Sequence, residues 1–341
     1  MKNVSVFLLT VLAIAFLSHD GHAQKVGSSS MQFLKVMPCA RATALGDAYA
    51  VLASGAEAVF WNPASVSRVE GSELSLTYLD WIFDSRQGAA SFATSLGSIG
   101  AIGFQVQYVD FGEIPEALWV APYNEDPVNS GLTGRTFRPY AYLVGVSYAR
   151  QLTDKFSTGL TAKYAHESLY DGSTYRAVNT IGDTIDVNTW ANGIMFDFGI
   201  WYDTGFRSIK LGASVQNFGP DVTYASEANA IPLSLRVGIA ANLIGSNALL
   251  AQNESNRLGI AFDLFQPNDY SQQAHAGLEY EFSDVVALRA GYKVGYDADG
   301  FTAGLGVKHS FGDMRLAVDY SYGSLQYNLG NVQRISIGAG F

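Results

Sequence analysis

The side chains of this sequence that are suited to chemistry are few and scattered. His166, His275 and His309 fall on separate predicted strands with no shared spacing, so they form neither a metal pair nor a recognisable nucleophile–histidine arrangement. Glu279 and Glu281 share one face at strand spacing, as a carboxylate pair for acid–base work would, but a polar lumen explains them more simply. Asp297-Ala298-Asp299-Gly300 and Asn124-Glu125-Asp126 could offer Ca²⁺ oxygen ligands, yet each falls far short of a full set and reads as a solvated turn. Cys39 is the only cysteine. It excludes an internal disulfide and a thiolate cluster, and reads as a small buried filler. No G-x-S-x-G, Walker A, G-x-G-x-x-G after a strand or H-E-x-x-H occurs. The expectation is therefore a protein that is not an enzyme, with no cofactor and no metal.

The composition points to the elements that must carry these residues. The chain of 341 residues is 48% hydrophobic but only 15% charged, with 35 glycines, 19 tyrosines and 20 phenylalanines. Soluble domains average about 25% charged residues. The formal net charge of −10 argues against nucleic acid or anionic lipid as a partner, because both select basic patches.

Residues 1–23 read as a secretory signal peptide: Lys2, an apolar run from Val4 to Leu17, and a small-residue cleavage site at Gly21-His22-Ala23. That run is too short for a transmembrane helix. Gln24 follows, so the signal is not of the lipoprotein kind. From Gly71 onward the period becomes two. Leu211, Ala213 and Val215 alternate with Lys210, Gly212 and Ser214. Leu288, Ala290 and Tyr292 alternate with Arg289, Gly291 and Lys293, and Ile335 and Ile337 with Arg334 and Ser336.

The reading is an all-β transmembrane antiparallel barrel of about 14 strands, each long enough to cross a bilayer when tilted. The strands begin near residues 72, 86, 99, 140, 155, 191, 207, 232, 257, 272, 285, 300, 313 and 332. Short turns alternate with long loops at about 111–139, 169–190 and 218–231, as expected for periplasmic turns and outer loops. The outer loops near Asp84 and Asp297 are short and the inner stretch 245–256 is long, which strains the pattern. Trp81, Tyr108, Tyr140, Tyr148, Tyr202, Tyr296 and Tyr322 lie near strand ends and are expected in aromatic girdles facing membrane lipid.

A barrel of this size has a lumen unless something fills it. The inward faces carry Gln105, Gln107, Lys163, Asp197, Arg236, Asp263, Glu279, Glu281, Arg289, Lys293, Lys308, Arg315, Asp319 and Arg334. Ion pairing is the favoured reading of this set over a charged conduit. The segment 24–70 is expected to enter from the periplasmic side and occupy the inner mouth, leaving 71–341 as the barrel. Its centre, ARATALGDAYAVLASGAEAVFWNPA at 40–64, is rich in alanine, is broken by Gly46 and Gly55, and ends in a tight turn at Asn62-Pro63.

That stretch resembles the N-terminal signature of the PorV/PorQ family within the FadL-like outer-membrane barrels. QFLKV at 32–36, SYARQLTDKFSTGLTAKY at 147–164, SVQNFGPDV at 214–222, PLSLRVGIA at 232–240 and the C-terminal GN followed by R-x-S-x-G agree, over essentially the whole mature chain. The resemblance implies fourteen strands and an N-terminal hatch, with Arg41, Gly46, Asn62, Pro63 and Ala64 as its motif and turn. It also implies that Phe341 is the C-terminal aromatic read during barrel assembly.

For function the resemblance implies an outer-membrane accessory of type IX secretion. Its partners would be the translocon and the C-terminal signal domains of secreted proteins. The outer loops, with Trp119, Tyr123, Phe137 and Tyr175, are the candidate binding surface. The competing reading is a FadL-like conduit for hydrophobic small molecules, which needs an apolar pocket near the hatch and a lateral opening.

Overall fold

The computed structural model describes residues 27–117, 131–171, 174–178 and 184–341. The strands follow the two-residue period. The first are β1 (Ser72–Asp80), β2 (Arg86–Ser95), β3 (Ala101–Asp110), β4 (Ile114–Ala117), β5 (Leu132–Phe137), β6 (Tyr140–Thr153) and β7 (Phe156–Ser168). Next come β8 (Thr174–Val178), β9 (Thr184–Asn188), β10 (Trp190–Asp203), β11 (Lys210–Phe218), β12 (Val222–Tyr224), β13 (Glu227–Asn229) and β14 (Ser234–Ile244). The last are β15 (Asn256–Pro267), β16 (Gln273–Phe282), β17 (Val286–Val294), β18 (Phe301–Phe311), β19 (Met314–Ser324) and β20 (Asn331–Gly340).

Fourteen of these close into one antiparallel barrel, β1-β2-β3-β6-β7-β10-β11-β14-β15-β16-β17-β18-β19-β20. β1 pairs with β20 from Glu73↔Gly340 to Asp80↔Gln333, which leaves no free edge at the closure. Each expected strand has its counterpart. The largest displacements are β3, β11 and β14, which begin at 101, 210 and 234 rather than near 99, 207 and 232. At β3 and β11 tight turns take up the difference: Gly100 N–H bonds to the Gly97 carbonyl and Ile209 N–H to that of Phe206.

The three long loops contain hairpins of their own, β4-β5, β8-β9 and β12-β13, which the sequence reading does not anticipate. The long inner stretch is ordered by a bridge between Ile244 and Ala251. A bilayer admits a strand only if its backbone is paired and its outward side chains are apolar. Accordingly Leu235, Val237, Ile239, Leu288, Leu305, Ile335 and Ile337 are exposed on the outer face. Between them Gly238, Arg289, Arg334 and Ser336 point inward.

Tyr108, Tyr148, Tyr202 and Tyr322 face outward as expected of a girdle. Trp81 and Tyr296 do not. Trp81 lies beneath the Arg334 guanidinium, and Tyr296 stacks on His275 inside the barrel. By parity from Leu76 and Tyr78, Trp81 is an inward position. Tyr296 follows Gly295, whose φ of +84° turns the chain inward.

Candidate functional site

The lumen is occupied by residues 27–70, held as short helical pieces: Gln32–Lys35, Ala40–Ala44, Gly55–Glu57, Ala58–Trp61 and Pro63–Arg68. Alanine gives these turns little bulk, so backbone packs directly against the inner wall. Where it comes closest the wall has glycine. A Cβ on Gly291 would lie 2.0 Å from the Gly46 nitrogen, and one on Gly199 would collide with the Asn62 side-chain oxygen and Pro63.

The segment does not approach from the short-turn end, as the sequence suggested. Its first described residues sit at the long-loop end, where Ser30 N–H bonds to the Ala230 carbonyl at 2.9 Å. There Asp269, between β15 and β16, accepts from Ser29, from Gln32 at 2.9 Å and from Lys35 at 2.9 Å. Burial alone would raise the Asp269 carboxyl, but these three donors hold it below the usual carboxylate range. The chain then runs down the lumen and joins β1 at the short-turn end, where Ser72 N–H bonds to the Phe341 carbonyl at 2.8 Å.

On the way it touches every strand of the barrel. The Val36 carbonyl accepts from Gln87 of β2 at 3.1 Å and Gln107 of β3 at 3.4 Å. Ala40 N–H donates to Ser336 of β20 and Thr43 bonds to Ser321 of β19, while Thr302 of β18 donates to the Ala44 carbonyl. Arg41 forms a bidentate pair with Glu279 of β16, at 2.9 and 2.8 Å. Asp47 takes Lys293 of β17 at 2.7 Å, and its carbonyl takes Arg236 of β14. Asp263 of β15 accepts the Tyr49 and Ala50 N–H groups, both at 2.8 Å.

The Asn62-Pro63-Ala64 turn, fully buried at Asn62, is bonded on three sides. The Asn62 amide donates to the Ala50 carbonyl at 2.9 Å and to Ile200 of β10 at 3.0 Å. Its side-chain oxygen accepts the Ala64 N–H at 3.1 Å. Ser214 of β11 reaches the Trp61 carbonyl and Ser75 of β1 reaches Glu57. The Pro63–Arg68 turn lies on β6 and β7. Most buried polar groups of the segment are thereby matched by the wall or by the segment itself, the Tyr49 and Ser65 hydroxyls being exceptions.

The inward charges pair chiefly along the wall or with the segment. Lys163 meets Asp197 at 2.6 Å, and Arg289 bridges Glu279 and Asp319, both at 2.6 Å. Glu281 takes Lys308 at 2.8 Å and also Arg257. Glu279 and Glu281 are thus counter-ions rather than an acid–base couple. In the long-loop half the filling is apolar instead: Met31, Phe33, Leu34, Val109, Leu143, Met195, Val222 and Ile231 form one buried cluster. Toward the short-turn end two cavities of about 420 and 290 Å³ open between segment and wall, lined by charged side chains interspersed with small and apolar ones.

Of the loop aromatics, Trp119 and Tyr123 lie outside the described residues. Phe137 and Tyr175 meet through Tyr170, with ring centroids 5.0 and 5.2 Å from it. Tyr170 and Glu116 were not singled out from the sequence. The Tyr170 hydroxyl donates to Glu116 at 3.1 Å, beside Thr133 at 2.7 Å and Arg135 at 2.9 Å, tying the first two long loops together. The Thr133 bond holds the Glu116 carboxyl below its usual range. An aromatic two positions after a strand end, as Tyr170 is in β7's loop, is the signal that could have marked it. Phe341 is exposed at the short-turn end.

The family model described as "Type IX secretion system protein PorV" matches residues 19–265. No curated protein matches the sequence. Among solved structures the barrel is similar to the Pseudomonas putida toluene transporter TodX (16% identity, 83% of this chain and 91% of that one, TM-score 0.50). It is also similar to the Ralstonia pickettii toluene transporter TbuX (13%, 87% and 96%, TM-score 0.51). A Pseudomonas aeruginosa FadL homologue aligns over 89% of this chain and 97% of its own, at 12% identity and TM-score 0.51. At these identities the likeness is one of fold.

Proposed function

The chain belongs to the PorV family of type IX secretion proteins, an outer-membrane barrel of FadL-like fold, and from that premise we propose that it is a non-enzymatic barrel, closed by its own N-terminus, that receives secretion partners on its outer loops. Its parts are a leader at 1–23, a lumenal hatch at 24–70 and the barrel at 71–341. Phe341 serves as its assembly signal.

The observation that carries this reading is the fit of the N-terminal segment, which is bonded or packed against all fourteen barrel strands. A filling so widely bonded cannot leave without breaking many buried hydrogen bonds, each contributing about 1 kcal/mol or more. Arg41, Glu57, Glu73, Arg257, Lys308 and Arg315 interrupt the lining of the two cavities, so neither offers the predominantly apolar wall that a fatty acid tail or an aromatic hydrocarbon favours. The loop surface around Phe137, Tyr170 and Tyr175 supplies aromatic anchors braced by Glu116 and Arg135, as protein–protein contacts require. Its occupants are translocon components and the C-terminal signal domains of secreted proteins.

Affinity purification of the full chain from its native host tests this. Recovery of a large translocon barrel or of C-terminal signal domains, reduced by Tyr170→Ala with Phe137→Ala, is the expected result. Purification alone with a bound hydrophobe, together with normal secretion in a deletion strain, would overturn it in favour of transport.

A further inference from the structure

The short-turn end of the lumen gathers positive charge in a chain whose formal net charge is −10. Arg41, Arg68, Lys210, Arg257 and Lys308 line the cavity of about 290 Å³ between the hatch and the ends of β11, β14, β15 and β16. The carboxylates that face them are already shared. Glu279 serves both Arg41 and Arg289, and Glu281 serves both Arg257 and Lys308, while Asp319 pairs with Arg289.

Arg68 and Lys210 close no ion pair among the described residues. Both instead rest on the ring of Trp201, the Arg68 guanidinium carbon 4.2 Å and the Lys210 ammonium 5.4 Å from its centroid. A further rim carboxylate, Asp203, accepts the Gly205 N–H at 2.8 Å and is near enough to act on both charges while closing an ion pair with neither, so one carboxylate faces two cations. Two cations on one aromatic ring repel each other, and in a partly enclosed cavity solvent relieves that less than at an open surface. The adjoining cavity of about 420 Å³ sets Glu57, Glu73, Asp284 and Asp319 beside Arg41, Lys308 and Arg315, a mixed lining that favours an anion less than the Arg68 side does.

We propose that this cavity is a binding site for a phosphate-bearing anion presented at the periplasmic mouth. A guanidinium fork and an ammonium together match the oxygens and the double charge of phosphate, and a dianion would neutralise Arg68 and Lys210 at once. The group can arrive free in the periplasm or as the monoester phosphate of an inner-leaflet lipid that reaches over the rim. The site is independent of what the outer loops bind.

Titration calorimetry on the detergent-solubilised full chain, with inorganic pyrophosphate at low ionic strength, reads the free anion. Nanodiscs with and without phosphatidic acid, whose monoester phosphate carries the second charge, read the headgroup, through proteolytic protection of the inner rim. Arg68→Ala with Lys210→Ala should weaken pyrophosphate binding at least tenfold or abolish the lipid-dependent protection, and binding should fall as salt rises. Arg138→Ala, at the long-loop end beside Asp110, should change neither. The heat-dependent gel shift checks that the double variant still folds. Wild-type protein that binds neither probe, or a double variant that binds as wild type does, would overturn the proposal.

Discussion

The two halves of the lumen are filled by the same segment in opposite ways. Toward the long loops, Met31, Phe33 and Leu34 pack into an apolar cluster with Val109, Leu143, Met195 and Val222, and polar tethers such as Asp269 stand at its rim. Toward the short turns, Arg41 and Glu57 join the segment to Glu279 and Ser75 of the wall by charged contacts, beside cavities that remain open. The apolar half excludes water and seals. The charged half positions the backbone and leaves room for solutes. A barrel lumen is therefore not one environment. A plug can be a stopper at one end and an ion-paired scaffold at the other.

The widest break of this contrast is deletion of residues 40–64, which removes the scaffold and leaves the wall. Conductance in planar bilayers should rise from near none to that of an open pore. Unchanged conductance would mean that the loops or lumen side chains seal the barrel by themselves.

Glu279→Ala comes next, because it leaves the Arg41 guanidinium without its carboxylate and takes one of two from Arg289. Breaking a buried pair in this way costs about 3–5 kcal/mol, read as a lower urea midpoint in detergent. In the other half, Met31→Ala should cost about 2–5 kcal/mol from lost packing. The two losses should differ in salt dependence, with only the first changing appreciably.

A third test sets the lipid face against the lumen face on one strand. Leu288→Arg should cost about 2–4 kcal/mol if it lies near the midplane. Gly291→Ala, three residues on, should act by steric conflict with Gly46, lowering protection of residues 40–50 in hydrogen exchange.

Asn62→Ala with Pro63→Ala should loosen the hatch turn by about 1–3 kcal/mol through the carbonyls of Ala50 and Ile200 left unpaired. Barrel assembly, read by the gel shift, should persist.

The smallest effect concerns acid at the long-loop rim. The Asp269 carboxyl titrates below its unfolded value, so its contribution is present above the ordinary carboxylate range and is lost as pH falls through the folded pKa. Hydrogen exchange at residues 29–35 should accelerate over that acidic window, and Asp269→Asn should show the faster rate at neutral pH.

Period-two alternation by itself determined the barrel, the strand count and the inward set, because a residue between lipid and lumen has only two directions to face. Gln105, Asp263, Glu279 and Arg334 are buried inside as their parity requires, and Leu288 and Ile337 face out. The 40–64 signature likewise carried the family. Parity applied residue by residue would also have placed Trp81 inward, where strand-end position alone misled.

Only the tertiary structure decided the rest. Nothing local to Ser29, Gln32 or Lys35 indicates that Asp269, more than two hundred residues away, holds them at the long-loop end. Nothing near Gly199 or Gly291 says which backbone must pass over it. The sharing of Glu279 by Arg41 and Arg289, and the joining of Phe137 to Tyr175 through Tyr170, are of the same kind. Alternation is a property of consecutive residues and survives in one dimension. The partner across a lumen depends on how closure and stagger bring distant strands together, and no spacing along the chain encodes that distance.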